Sequence, residues 1–270
     1  AGPCFYQEYM AVQHIDPTLK ELLDFHAARV NSPEFVQNDP VQFPRLFTSQ
    51  RDIEIVSLLC STIAWGNRKM ICADCAKMLA LMDNAPYRYV MERGYDDLPE
   101  HQNIHRTFFT DNLAHFLRGL YAIYSKYGTL ADFALDCGVR EAEFPSWHLA
   151  EAVNRQLYMA NGECSDSRCL PLNMGQTALK RLNMALRWLV RDDGIVDLGV
   201  WKGVIEPSRL FVPLDVHVGN TARALGLLQR KAADRKSAVE LTGVLRALRP
   251  HDPVWYDYAL FGIGIEGVLR

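Results

Sequence analysis

The chain has 270 residues, 49% hydrophobic and 23% charged, with a net charge of −3. That balance is globular and leaves a sizeable core, and no apolar run reaches the length of a membrane span. The N-terminus is polar and acidic rather than leader-like, and seven scattered cysteines, an odd count, fit a reducing cytoplasm.

The first helix is expected over residues 16–29. Asp16 caps it, Pro17 takes the first position, and Leu19, Leu22, Leu23 and Phe25 form the apolar stripe. Residues 31–44 hold three prolines and read as a surface connector. A strong helix follows over 49–66, with Ser49 as its cap and Ile53, Val56, Leu59, Cys60 and Ile63 on its buried face. It stops at Trp65-Gly66-Asn67-Arg68, and a second helix over 69–82 begins at once. Cys72-x-x-Cys75 falls inside the apolar pattern of that helix and has no second pair, so no metal site is expected.

Helices are expected over 110–127 and 143–159, then a loop over 161–174. Gly175 opens a helix over 176–191 with Leu179, Leu182, Leu186 and Leu189 on one side. Its other face carries Lys180, Asn183, Arg187 and Arg191, which reads either as a solvated cationic face or as a surface for a polyanion. From residue 174 to 250 thirteen Lys/Arg stand against seven Asp/Glu, +6, which leaves −9 for the remainder. Helices over 233–248 and 254–264 complete the chain. No stretch alternates long enough for a convincing strand, so the fold class is all-α, mostly or wholly helical.

One stretch organises the rest. Phe211 and Val212 run extended into Pro213, which keeps the residue before it out of a helix. Asp215 then stands at an N-cap, with Val218, Ala222 and Leu225 at helical spacing and Gly226 as a stop. The Asp is either a plain cap or a carboxylate aimed out of the helix end to stabilise a growing positive charge. His217, two residues on, reads as structural.

Val212-Pro213-Leu214-Asp215-Val216-His217-Val218, then Arg223-Ala224-Leu225-Gly226-Leu227, resembles the signature of the helix-hairpin-helix DNA glycosylases. Over its whole length the chain also resembles a bacterial family of unknown function in that superfamily, near the archaeal 8-oxoguanine glycosylase branch. The resemblance implies one glycosylase-like unit over 1–270 with a cleft between two helical lobes. One lobe would be 45–160, the other 1–44 with 161–270. It implies base-excision repair of double-stranded DNA carrying a damaged, oxidised purine. The sequence shows no strong oligomer signal, so a monomer is expected, in the cytoplasm at the nucleoid.

The family's catalytic carboxylate corresponds to Asp215. A bifunctional member also needs a Lys that forms a Schiff base with the sugar and then nicks the strand. Common members place it about twenty residues before the Asp, where this chain has Ile195-Val196-Asp197. Lys180, which opens an apolar helix as in the archaeal branch, is the nucleophile implied, and Lys202 is the alternative. Asp257 and Phe261 have the spacing of that branch's base-reading Asp and stacking aromatic. Asp257 otherwise reads as a surface Asp or the partner of an Arg such as Arg223. Trp65 and Asn67 sit where the family presses residues beside the extruded base, and otherwise read as core and C-cap. Arg68, Gly175, Arg181, Arg187, Asn220 and Arg223 are the expected phosphate contacts. Residues 170–178 only echo the family's hairpin, which often holds a monovalent cation. No other cofactor is expected, and with no cysteine after Cys169 an iron–sulfur cluster is excluded.

The rivals are a monofunctional glycosylase for another lesion and a non-catalytic DNA-binding protein on the same scaffold.

Overall fold

A computed structural model of the protein describes residues 16–266. The polar N-terminus lies outside those residues. The helices in order are α1 (Pro17–Val30), α2 (Pro33–Gln37), α3 (Gln50–Thr62), α4 (Arg68–Leu81), α5 (Pro86–Met91), α6 (Thr110–Lys126), α7 (Leu130–Asp136), α8 (Pro145–Ala160), α9 (Lys180–Val190), α10 (Val216–Ala224), α11 (Arg235–Leu248) and α12 (Tyr256–Glu266). A short antiparallel hairpin, β1 (Asn103–His105) and β2 (Phe108–Phe109), precedes α6. The architecture is therefore mostly, not wholly, helical.

Capping chemistry sets several starts. Asp16 Oδ1 accepts Thr18 N–H at 2.9 Å ahead of Pro17. Asp234 Oδ1 accepts Ser237 N–H at 2.9 Å at the start of α11. The expected helix over 176–191 begins four residues late, at Lys180. Asn173 Oδ1 accepts Gly175 N–H at 3.2 Å and Thr177 Oγ1 accepts Leu179 N–H at 3.1 Å. These local bonds compete with a helical turn. Leu179 then takes a left-handed φ of +49°, which a continuous helix excludes.

The last helix likewise starts later than expected, after a 3-10 turn over Pro253–Trp255. The expected surface connector over 31–44 is partly interior: it forms α2 and buries Asp39, Pro40, Val41 and Phe43.

α3 is the central helix, with every residue from 53 to 62 buried. It packs on α9, while α12 lies between α1 and α10 and α6 lies on α8. The buried apolar side chains form one contiguous cluster. Glu54 is buried in α3, and among the described residues it has no cationic partner. Its carboxylate accepts Leu130 N–H (2.8 Å) and Ala131 N–H (3.1 Å) at the start of α7, Trp201 Nε1 (2.8 Å) and Tyr124 OH (2.9 Å). A buried carboxylate needs such a set of donors.

Among the described residues no helix is long and apolar enough to cross a membrane.

Candidate functional site

Two helix starts face each other. Val212 is held extended by Thr242 Oγ1, which accepts its N–H at 3.1 Å. Pro213 and Leu214 then bring Asp215 to the N-cap of α10, where its Oδ1 accepts Val218 N–H at 2.9 Å. Its Oδ2 lies 4.0 Å from Nζ of Lys180, the first residue of α9. Lys180 Nζ also donates to the Ala64 carbonyl at 3.2 Å, just past the end of α3. The Lys180 side chain keeps 29% of its surface exposed and Asp215 36%. The pair can be reached from solvent while dense protein closes the other sides. Burial pushes the Lys180 ammonium below its ordinary value, against the opposing pull of Asp215, Asp257 and Asp39.

Asp257, on α12, feels the same centre. It is buried, and burial raises its carboxyl to about 6. Arg187 and Lys180 oppose that rise, and the nearby Asp215 adds to it. Arg187 Nη1 bonds Asp257 Oδ2 directly, and its Nε donates to Asp197 Oδ1 at 3.3 Å. Asp257 is thus the buried, Arg-paired carboxylate, with Arg187 rather than Arg223 as partner.

The expected phosphate role of Arg187 is corrected. At 4% exposure, and bonded to two buried carboxylates, it cannot meet a phosphate. The polar face of α9 is corrected with it. Asn183, Arg187 and Arg191 are buried, and Arg191 is fixed by Asp193, Asp197 and Asp252. The charge periodicity marked an internal ion network, not a solvated stripe.

The α3–α4 junction closes one side of the site. Trp65 packs edge-on to His105 with centroids 4.7 Å apart. The Arg181 guanidinium lies 5.2 Å from the Trp65 ring and donates to the Thr62 carbonyl at 2.6 Å. Asn67 is the N-cap of α4 rather than a C-cap of α3, with Oδ1 accepting Met70 N–H at 3.2 Å. Phe261 is half-buried. The Arg68 guanidinium lies 4.3 Å over its ring, and Phe35 meets it edge-on at 5.7 Å. A planar ligand stacking there would displace Arg68. Arg68 is also paired with Asp39 at 2.9 Å.

Lys202, the alternative nucleophile, follows a residue tied to the far end of α9, whereas Lys180 is the lysine beside Asp215. Trp201 N–H bonds the Leu189 carbonyl at 2.8 Å, at the other end of α9. Nine residues of helical rise, roughly 14 Å, separate that point from Lys180. Gly175 lies in an exposed turn, and its N–H is already donated to Asn173. Arg223 is only partly available: Nη2 bonds Asn220 Oδ1 at 2.6 Å and Nη1 the Arg230 carbonyl at 3.0 Å.

A cavity of about 190 Å³ opens beside Lys180, lined also by Cys169, Leu170, Thr177, Arg181 and Leu214. Trp65, Asn67, Asp257 and Phe261 do not line it.

Asp39 escaped sequence reasoning. Its signal was local: an Asp just before Pro40 is a capping pattern, and its Oδ1 accepts Val41 N–H at 3.1 Å. Its burial beside Arg68 and Lys180 depends on long-range packing.

The fold and site define a helical protein whose solvent-reachable lysine–aspartate pair is made by two helix starts. A family model described as protein of unknown function, DUF2400, matches residues 39–266, and the chain belongs to that family. No curated protein and no solved structure matches it.

Proposed function

We propose that the protein is a base-excision DNA glycosylase with AP-lyase activity, acting on an oxidised purine in double-stranded DNA. The single observation that carries this reading is the 4.0 Å approach of Lys180 Nζ to Asp215 Oδ2 at an opening to solvent. Two properties support it. The lysine is pushed toward its neutral, nucleophilic form by burial. The aspartate is held at a helix cap, with Oδ1 fixed by the Val218 N–H and Oδ2 turned to the lysine.

In the proposed reaction, charge builds on C1′ as the base departs, and Asp215 stabilises it. The Lys180 amine bonds to C1′, the C1′–base bond breaks, and the leaving base takes up a proton. Ring opening gives the Schiff base, and β-elimination then breaks the 3′ phosphate bond. Asp257 and the Trp65 and Phe261 rings would frame the flipped base, with Arg68 swinging off Phe261. Arg68, Arg181, Asn220 and Arg223 are the side chains assigned to phosphates.

Borohydride trapping on a duplex with one 8-oxoguanine, beside an abasic-site duplex, tests the reading. A covalent adduct that Lys180→Gln removes is the expected result. Wild-type nicking by Lys180→Gln would sink the assignment. Absence of any adduct on either duplex would remove the lyase activity.

A further inference from the structure

The turn between β1 and β2 consists of two residues, Arg106 and Thr107, with His105 paired to Phe108. Arg106 holds a left-handed φ of +50°. Gly, Asn or Asp is the usual choice there, and an arginine is disfavoured by its Cβ. Gly66 is the second oddity, at φ +101° between Trp65 and Asn67. A Cβ added to Gly66 would lie 2.9 Å from Arg106 Cζ. Two backbone exceptions therefore seat one guanidinium against the α3–α4 junction.

The seat is rigid. His105 is fully buried, with Nδ1 2.6 Å from Asp74 Oδ2 and Nε2 2.9 Å from the Trp65 carbonyl. Two more guanidinium groups gather beside it. Arg168 Nη1 donates to Thr107 Oγ1 at 2.9 Å, and Arg181 lies by Trp65. Arg168 and Arg181 repel each other, and Arg168 helps to hold the Arg181 guanidinium below its ordinary value, after burial. Among the described residues no carboxylate lies within salt-bridge distance of the Arg106, Arg168 or Arg181 side chains.

Ala64, whose carbonyl holds Lys180 Nζ, is two residues from Gly66, at most about 7.6 Å between Cα atoms. The cationic ledge thus stands at the edge of the Lys180–Asp215 site. Guanidinium groups gathered without carboxylates suit phosphate oxygens.

We propose that Arg106, with Arg168 and Arg181 beside it, is a pre-organised phosphate clamp that grips the backbone of duplex DNA next to the Lys180–Asp215 site. The clamp rests on the glycosylase reading.

The test is equilibrium binding of the full chain to a fluorescent duplex carrying a stable abasic-site analogue, across a NaCl series. Arg106→Gly is the variant, because glycine adopts this turn freely and the hairpin should keep its melting temperature. Arg93→Gly is the control, another arginine in the left-handed region (φ +58°), paired with Asp96. Arg106→Gly should bind roughly tenfold more weakly at low salt, with a log–log salt slope shallower by about one. Arg93→Gly should match the wild type.

Equal affinity and slope for wild type and Arg106→Gly would overturn the clamp, as would equal weakening by Arg93→Gly. Either result leaves the glycosylase reading standing if the wild type is still trapped on the lesion duplex. A wild type with no salt-dependent duplex binding overturns both.

Discussion

At the scale of single residues, the site turns on burial set against charge. Asp257 goes from an ordinary 3.8 to about 6 on folding because burial outweighs the Arg187 ion pair. A folded-state value above the unfolded one gives stability that is fully present below about pH 3.8. That stability is lost as pH rises through about 6. A rise of that size corresponds to roughly 3 kcal/mol. Denaturant unfolding of wild type and Asp257→Asn from pH 3 to 8 should show their difference moving toward the variant by about that amount across the window. A flat difference would mean that Asp257 titrates normally. Lys180 is displaced the other way, with its ammonium lowered by burial. Asp215 was legible at this scale, because Pro213, the cap and Gly226 are local signals. Asp39 and the partner of Asp257 were not, since both are chosen by side chains far away in sequence.

At the scale of elements, the site depends on where α12 lies. Gly262 lets that helix approach α1 closely: a Cβ there would meet Val30 Cγ2 at 2.5 Å. Gly262→Ala should destabilise the protein by about 1–3 kcal/mol, as overpacking does. Val30→Ala should recover part of that loss in the double variant, because it removes the clashing atom. Thermal or urea unfolding measures both, and additive losses would refute the contact as the cause. Sequence periodicity found most of the long helices within a few residues, since each has an apolar face. It missed α2, α5 and α7, which are too short to show a period, and β1–β2, held by His105 and the α3–α4 junction rather than by alternation. It also placed the start of α9 too early, because local bonds from Asn173 and Thr177 outcompete the first turn.

At the scale of the whole molecule, the buried network of Arg187, Arg191, Asp197, Asp252 and Asp257, with the Tyr258 hydroxyl on Asp197 at 3.0 Å, ties α9 to α12. Asp197 is raised by burial and held down by both arginines. Its replacement by Asn leaves Arg187 and Arg191 with one buried carboxylate fewer. The expected cost is about 3–5 kcal/mol in unfolding free energy, as for breaking a buried pair. A loss under about 1 kcal/mol would show that the remaining carboxylates suffice. Within residues 174–250 the network sets Arg187 and Arg191 against Asp197, so it carries only one charge of the +6 excess there.

Local sequence is enough to make the chain helical, to place most of its helices, and to put Asp215 at the cap of one of them. Each of those follows from side-chain periodicity and from hydrogen bonds spanning two to four residues. Which charges are buried and which face solvent depends on long-range packing. It brought Lys180, the first residue of α9, to within 4.0 Å of Asp215, the cap of α10. It took Arg187 out of solvent and gave it to Asp257, and it set Arg106 on Gly66. Burial and charge pairing depend on residues dozens of positions apart, and no local pattern encodes those distances.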